Sequence, residues 1–341
     1  AGNYTGTTNA GMPGIPDEYI RTTSWRNSGY PYDLQKALDE KYSVNADLTY
    51  FMNLAGEHSW KLGAQFVRQG QDYDQTVSYP IVFLGWDRDL ILYGTNYGRG
   101  TYGFVGIRGN EDAGPFGDFY KAYANRWALY IQDSWTISNR FTLNFGVRAE
   151  SEYLPSYSDH PDFADAKPIE WGFGEKLAPR IGFVYDVNGD SSLKVFGSFG
   201  IYYDVMKLHM AAGSYGGFKW KTAYYPLNTY EWDQIGVEGG IDVGDPWVVY
   251  DYRIPSFDST DPDMKPMSQQ EISFGAEKKL SENLALSVRL VNKHLLWAIE
   301  DIGVLTSHGE MYYTTNPGGD FIKEVWEESK AAGLIPQGAP D

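Results

Sequence analysis

Trp127-Ala128-Leu129-Tyr130-Ile131-Gln132-Asp133-Ser134-Trp135, then Ser138-Asn139-Arg140, then Phe141-Thr142-Leu143-Asn144-Phe145-Gly146-Val147-Arg148-Ala149-Glu150, read as two strands joined by a polar turn. In the second run Phe141, Leu143, Phe145 and Val147 alternate with Thr142, Asn144, Gly146 and Arg148. A period of two puts every apolar side chain on one face, the signature of a half-buried strand. The full hairpin is predicted to run from Arg126–Ile137 to Phe141–Glu150.

The same unit recurs outward from it. Tyr42–Met52 and His58–Gln69 flank Asn53-Leu54-Ala55-Gly56-Glu57, with Val44, Ala46, Leu48, Tyr50 and Met52 opposed to Asn45, Asp47 and Thr49. Ala178–Val187 and Ser192–Asp204 flank Asn188-Gly189-Asp190, where Asn-Gly suits the positive φ of a hairpin turn. Gln270–Leu280 and Leu284–Ile299 flank Ser281-Glu282-Asn283. About eight strands are thus predicted, as hairpins. Their connections are asymmetric: tight within hairpins, but long through Gly70–Asn125, Ser151–Leu177 and Val205–Ser268. Short turns on one side and long loops on the other is the layout of a transmembrane barrel, with periplasmic turns and extracellular loops. The polar faces mix Asn, Gly, Thr, Ser and Gln with a few cations, which suits a wet lumen. By alternation Asn144, Arg148, Lys194 and Arg289 are predicted to line it. Trp60, Trp127, Tyr130, Trp135, Phe141 and Trp297 are placed near strand ends as an interfacial girdle.

The expected organisation is an extracellular loop region over 1–40, barrel hairpins over 41–300, and a second extracellular loop region over 301–341. Short helices are predicted at Leu34–Lys41 and Phe321–Ala332, the latter with Asp320 as N-cap and Gly333 as C-cap. Both ends then lie on the long-loop side, so the reading is of an internal segment of a larger barrel, with its plug domain outside these residues.

Composition narrows the functional classes. No run of 18 apolar residues exists, so no helical span is predicted, whereas a barrel strand needs only roughly 9–11 alternating residues. A mean hydropathy of -0.43 is too polar for a helical membrane protein. Net charge is -17, which argues against a nucleic-acid partner because phosphates need a basic patch. Cysteine is absent, which excludes disulfides and thiolate metal sites.

The two runs quoted first resemble a recurrent hairpin of TonB-dependent outer-membrane receptors. Leu177-Ala178-Pro179-Arg180-Ile181-Gly182-Phe183-Val184-Tyr185-Asp186 resembles the strand that follows it there, and Val195–Asp204 its partner. Gly56-Glu57-His58-Ser59-Trp60-Lys61-Leu62-Gly63 and Pro262-Asp263-Met264-Lys265-Pro266 are similar to further motifs of that family, in the same order. Together they point to its Oar-like branch. The resemblance covers roughly residues 40–300 and implies a plugged barrel of about 22 strands. It also implies a bacterial outer-membrane location and TonB-energised uptake of a scarce solute, a small molecule or peptide. The implied partners are outer-membrane lipid and lipopolysaccharide, and the TonB system acting through a plug. No TonB-box candidate precedes the first strand.

Several motifs invite other readings. Gly98-Arg99-Gly100-Thr101-Tyr102-Gly103 has dinucleotide-loop spacing, but more glycine and no helix follows. Asp186-Val187-Asn188-Gly189-Asp190 begins like a calcium loop and lacks its later ligands. Asp159-His160-Pro161-Asp162 with Asp165 is the one cluster of hard-ligand character, and a solvated loop explains it. No catalytic residue, metal or cofactor is expected. The stretch Glu231–Asp263 is the strongest ligand-side feature. Trp232, Asp233, Trp247, Asp251 and Tyr252 there combine carboxylates with flat rings, suited to cationic, calcium-bridged or planar ligands. An alternative role is surface binding, adhesion or structure, with a surface lipoprotein as partner.

Overall fold

The computed structural model describes residues 9–20, 32–77, 81–92, 95–109, 116–157, 161, 163, 166–208, 215, 219–236, 239–251, 259–306 and 309–335. In chain order the strands are β1 (Tyr32–Asn53), β2 (Glu57–Val77), β3 (Ile81–Trp86), β4 (Leu90–Leu92), β5 (Thr95–Gly98), β6 (Gly103–Gly109), β7 (Phe116–Ser138) and β8 (Phe141–Leu154). There follow β9 (Ile169–Asp186), β10 (Leu193–Tyr203), β11 (Lys221–Leu227), β12 (Val248–Asp251), β13 (Ser268–Ser281), β14 (Leu284–Trp297), β15 (Glu300–Thr306) and β16 (Gly309–Thr315). One helix, α1 (Asp320–Ala331), closes the order.

The hairpins form one antiparallel eight-stranded sheet in the order β1-β2-β7-β8-β9-β10-β13-β14, open at both edges. Register fixes its two faces. Val44, Leu48 and Tyr50 stand opposite Phe66, Leu62 and Trp60, which stand opposite Trp127, Ile131 and Asp133. Phe145, Ile181, Phe199 and Ile272 continue this row across the sheet. Many of these side chains are exposed: Val44, Leu48, Tyr50, Trp127, Leu129, Ile272, Phe274 and Leu290 among them. An exposed apolar wall this broad would drive aggregation in water, and it is the surface a barrel turns to lipid. The sheet has the two-faced architecture of a barrel wall, one face apolar and exposed, the other polar.

β1, β2 and β7 run 22, 21 and 23 residues, well beyond the roughly 9–11 a span requires. Their upper ends carry charge on the outer face, where Lys36 and Lys121 both approach Asp72 at 2.5 and 3.6 Å. The expected helix at Leu34–Lys41 is therefore corrected. Its Leu34, Leu38 and Lys41 have helical spacing, yet the segment pairs residue by residue with Gln69–Gln75 of β2, through one register shift. Pairing wins because an isolated eight-residue helix has little intrinsic stability. The expected helix near the C-terminus is present. Gly319 is its N-cap, Asp320 lies in the first turn, and Gly333 follows with φ +71°.

The long connections carry their own order, which was not anticipated. The β2–β7 and β10–β13 connections build a second sheet, β12-β11-β6-β3, around buried Val82, Leu84, Trp86, Val105, Leu227 and Ile235. Met12 and Ile15 pack against it. The β15–β16 hairpin and α1 share buried Val304, Ile322 and Ile335.

A repeated contact fastens neighbouring strands. Gly63, Gly70, Gly197 and Gly275 each face an aromatic directly across the ladder, namely Tyr130, Tyr123, Phe183 and Phe196. Any Cβ at these glycines would collide with the opposing ring. Cations cover three of the rings: Arg68 lies 4.3 Å from Tyr123, Arg289 5.1 Å from Phe196, and Lys61 5.9 Å from Tyr130.

Candidate functional site

The inner face carries the polar set. Asn45, Asp47, Lys61, Gln65, Tyr130, Asn144, Arg148 and Arg180 line a hollow of about 500 Å³. They converge because each occupies the face opposite the lipid-side row on β1, β2, β7, β8 and β9. The Tyr130 hydroxyl, seated on Gly63, donates to Asp47, which Lys61 approaches at 3.5 Å. Arg148 donates to Glu150 at 2.5 Å and to Gln65 at 2.6 Å, and Gln65 donates to Asn45 at 2.7 Å.

Above the hollow this network reaches a buried ion pair. Lys176 is fully buried, and its ammonium donates to Glu152 at 2.6 Å and to the Asp204 carbonyl at 3.0 Å. The other Glu152 oxygen accepts the backbone N–H of Met206 at 3.1 Å. Trp171 and Tyr203 place their rings within 5.7 and 5.9 Å of the same ammonium. The pair thereby pins the start of the β10–β13 connection to the sheet. Higher still, Tyr120, Ala122 and Ala124 of the sheet are buried beneath Tyr157, Met206, Leu208, Tyr215 and Met264. Burial pushes the Tyr157 hydroxyl up, and pushes Tyr215 up to about 12. Tyr215 keeps a hydrogen bond to Thr260 at 2.9 Å. Loop residues thus roof the inner face with an apolar layer.

The structure places the predicted residues unevenly. Asn144, Arg148, Lys194 and Arg289 share the inner face; the first two line the hollow, and the others lie nearer the tight turns. Trp232 and Asp233 sit on a 3-10 turn, with Trp232 half-buried and its indole N–H donating to the Tyr19 carbonyl at 3.3 Å. Trp247 precedes β12, Asp251 closes it opposite Lys221, and Tyr252 lies outside the described residues. These residues therefore belong to separate parts of the loop sheet. Asp159, His160, Asp162 and Asp165 also lie outside the described residues. Sequence reasoning missed Lys61, Gln65, Tyr130 and Arg180, although extending the Asn144–Arg148 parity across neighbouring strands reaches each of them.

Two of the sequence motifs take on structural roles. Asp186 accepts the N–H groups of Gly189 and Ser191 at 2.9 and 2.8 Å, so its loop is a self-capped turn from Val187 to Ser192. That is longer than the three residues expected. Gly98–Tyr102 leads into β6, a strand. Among the described residues no three His, Asp or Glu side chains are grouped to hold a metal ion.

On the outer face, at the tight-turn end, His58 and the buried Asp133 pair at 2.6 Å. The imidazole lies stacked 5.1 Å from Trp135 and meets the Leu54 carbonyl at 3.0 Å through its other nitrogen. The pair ties the first hairpin to the second. Replacing His58 by Ala leaves a buried carboxylate without its partner and should lower the temperature at which the barrel loses its compact gel mobility. Asp133→Asn, which keeps a hydrogen-bond acceptor, should lower it less. A loss confined to His58→Ala, with Asp133→Asn as stable as the wild type, would mean that stacking on Trp135, not pairing, holds the turn.

The family model described as an outer membrane beta barrel domain matches residues 1–168. The TonB-dependent transporter Oar of Myxococcus xanthus is 27% identical over 314 residues, covering 84% of this chain and 28% of its own length. The chain thus spans less than a third of that relative. Among solved structures, the ferric-catecholate import receptor Fiu of E. coli K12 is similar at 14% identity and a TM-score of 0.38, over 81% of this chain and 33% of that one. The siderophore receptor PirA of Acinetobacter baumannii is similar at 8% identity and a TM-score of 0.30, over 82% and 40%.

Proposed function

We propose, for a chain that is an outer-membrane β-barrel segment of the TonB-dependent receptor kind, that it forms part of the wall of a transporter for energised uptake of a scarce solute. The observation that carries the reading is the vertical order of the inner face. A polar hollow lies below, and an apolar roof of loop residues, anchored by Lys176 and Glu152, lies above. A solute captured by the loops, with Trp232, Asp233, Trp247, Asp251 and Tyr252 as their ligand side, passes to a lumen lined by Asn144, Arg148, Lys194 and Arg289. TonB acts through a plug domain, and the wall performs no covalent chemistry. Deleting the TonB system should abolish uptake of the limiting solute to the same extent as deleting the transporter. Uptake that persists without TonB overturns the reading.

The separate loop sheet favours a second reading. A connection that folds around its own core is suited to presenting a surface to a partner protein, as an adhesin or the receptor of a surface lipoprotein would. Recovery of one stoichiometric surface partner, with no solute accumulation, would favour it over transport.

A further inference from the structure

The chain as a whole carries a net charge of -17, yet the hollow is locally cationic. Of the inner-face side chains that line it, Lys61, Arg148 and Arg180 are basic and Asp47 alone is acidic. Asp47 is already engaged by Tyr130 and Lys61, and Arg148 by Glu150 and Gln65.

Arg180 differs from both. Its guanidinium rests 4.4 Å from the centre of the Tyr202 ring, and among the described residues no carboxylate pairs with it. Its ladder neighbours on either side are Gly146 and Gly200, so no side chain crowds it laterally. Tyr202 in turn packs against Gly200, where an added Cβ would lie 3.0 Å from the ring. One flat side of the guanidinium is thus fixed on an aromatic ring, and among the described residues its N–H groups meet no acceptor. Asn144, exposed in the same hollow, supplies a further amide donor. A planar fork of unsatisfied donors, held by stacking in a net positive concavity, is matched by an oxyanion that accepts two parallel hydrogen bonds.

We propose that the hollow is an oxyanion site, in which Arg180 holds a carboxylate or phosphate group of the solute, with Arg148 and Asn144 beside it. The proposal names the solute class for the transport reading and rests on that reading only for how the solute arrives. The cationic hollow would select for negative charge.

Equilibrium binding tests it without reference to uptake. The full-length protein in detergent is titrated calorimetrically with citrate, with inorganic phosphate and with spermidine. Citrate or phosphate should bind, spermidine should not compete, and Arg180→Gln should weaken the anion by about tenfold or more. Arg180→Lys should fall between, because an ammonium keeps charge without the fork. Asn144→Asp, which adds a carboxylate to the hollow, should also weaken it. Preference between citrate and phosphate identifies the oxyanion. Absence of binding by both anions, or unchanged affinity in Arg180→Gln and Asn144→Asp, overturns the proposal. A wild-type protein that binds neither anion would overturn the proposal while leaving the transport reading, which is tested by TonB deletion, standing.

Discussion

Lys176→Met should destabilise the protein by about 3–5 kcal/mol, the usual cost of stranding one partner of a buried ion pair. Lys176 is fully buried and the Glu152 side chain is 2% exposed, so water cannot replace the lost ammonium. The damage should be local first. Glu152 also holds the Met206 N–H, and Lys176 the Asp204 carbonyl, so protease should cut near 204–208 before the sheet opens. Lys176→Met combined with Glu152→Leu should recover much of the loss, because an apolar pair of similar volume removes the unpaired charge. Urea unfolding in lipid vesicles, followed by tryptophan fluorescence, checks both variants. A single variant as stable as the wild type would mean that the roof is held by its apolar contacts alone.

Trp86→Ala should cost a similar amount, about 3–5 kcal/mol by lost burial and the cavity left behind. The effect should be confined to another part of the molecule. Trp86 is fully buried in the loop-sheet core with Val82, Leu84 and Val105, and that core is distinct from the cluster on the inner face of the main sheet. Limited proteolysis with mass mapping should find cuts within 81–109 and 219–251, while β7 to β10 stay protected. Equal sensitivity throughout the chain would show that the loop sheet and the barrel wall fold as one unit.

These contrasts explain what the sequence could disclose. The hairpins were legible where one face meets lipid and the other a wet interior, because only then does period two persist, as from Phe141 to Arg148. Above the membrane the signal vanishes. The upper parts of β1 and β2 carry Asp39, Glu40, Gln71 and Asp72, polar on both faces, and read as a short helix in one strand and as loop in the other. β3 failed for the opposite reason: Ile81-Val82-Phe83-Leu84-Gly85-Trp86 is buried almost throughout, so it shows no alternation. The glycine-bearing run after Tyr102, Gly103–Gly109, spoke against a dinucleotide loop because no helix followed, without being recognised as a strand. Asn144 and Arg148 were found by parity within one strand. Lys61 already stood on the polar face of its own strand by alternation, but bringing it and Arg180 into one hollow required knowing which strands are neighbours. Lys176 had no signal at all, since a lysine beside a glutamate usually marks a solvated surface.

The ring-on-glycine contacts bear on assembly. When a strand of this sheet docks on its neighbour, many alignments offer similar backbone hydrogen bonds, and a slip by one residue would turn its lipid face into the lumen. Tyr130 can lie flat only over Gly63, Tyr123 over Gly70, Phe183 over Gly197 and Phe196 over Gly275. In any shifted alignment most of these rings would meet a side chain. The notches act as a key cut into successive strands, so the alignment that closes them also sorts greasy from wet.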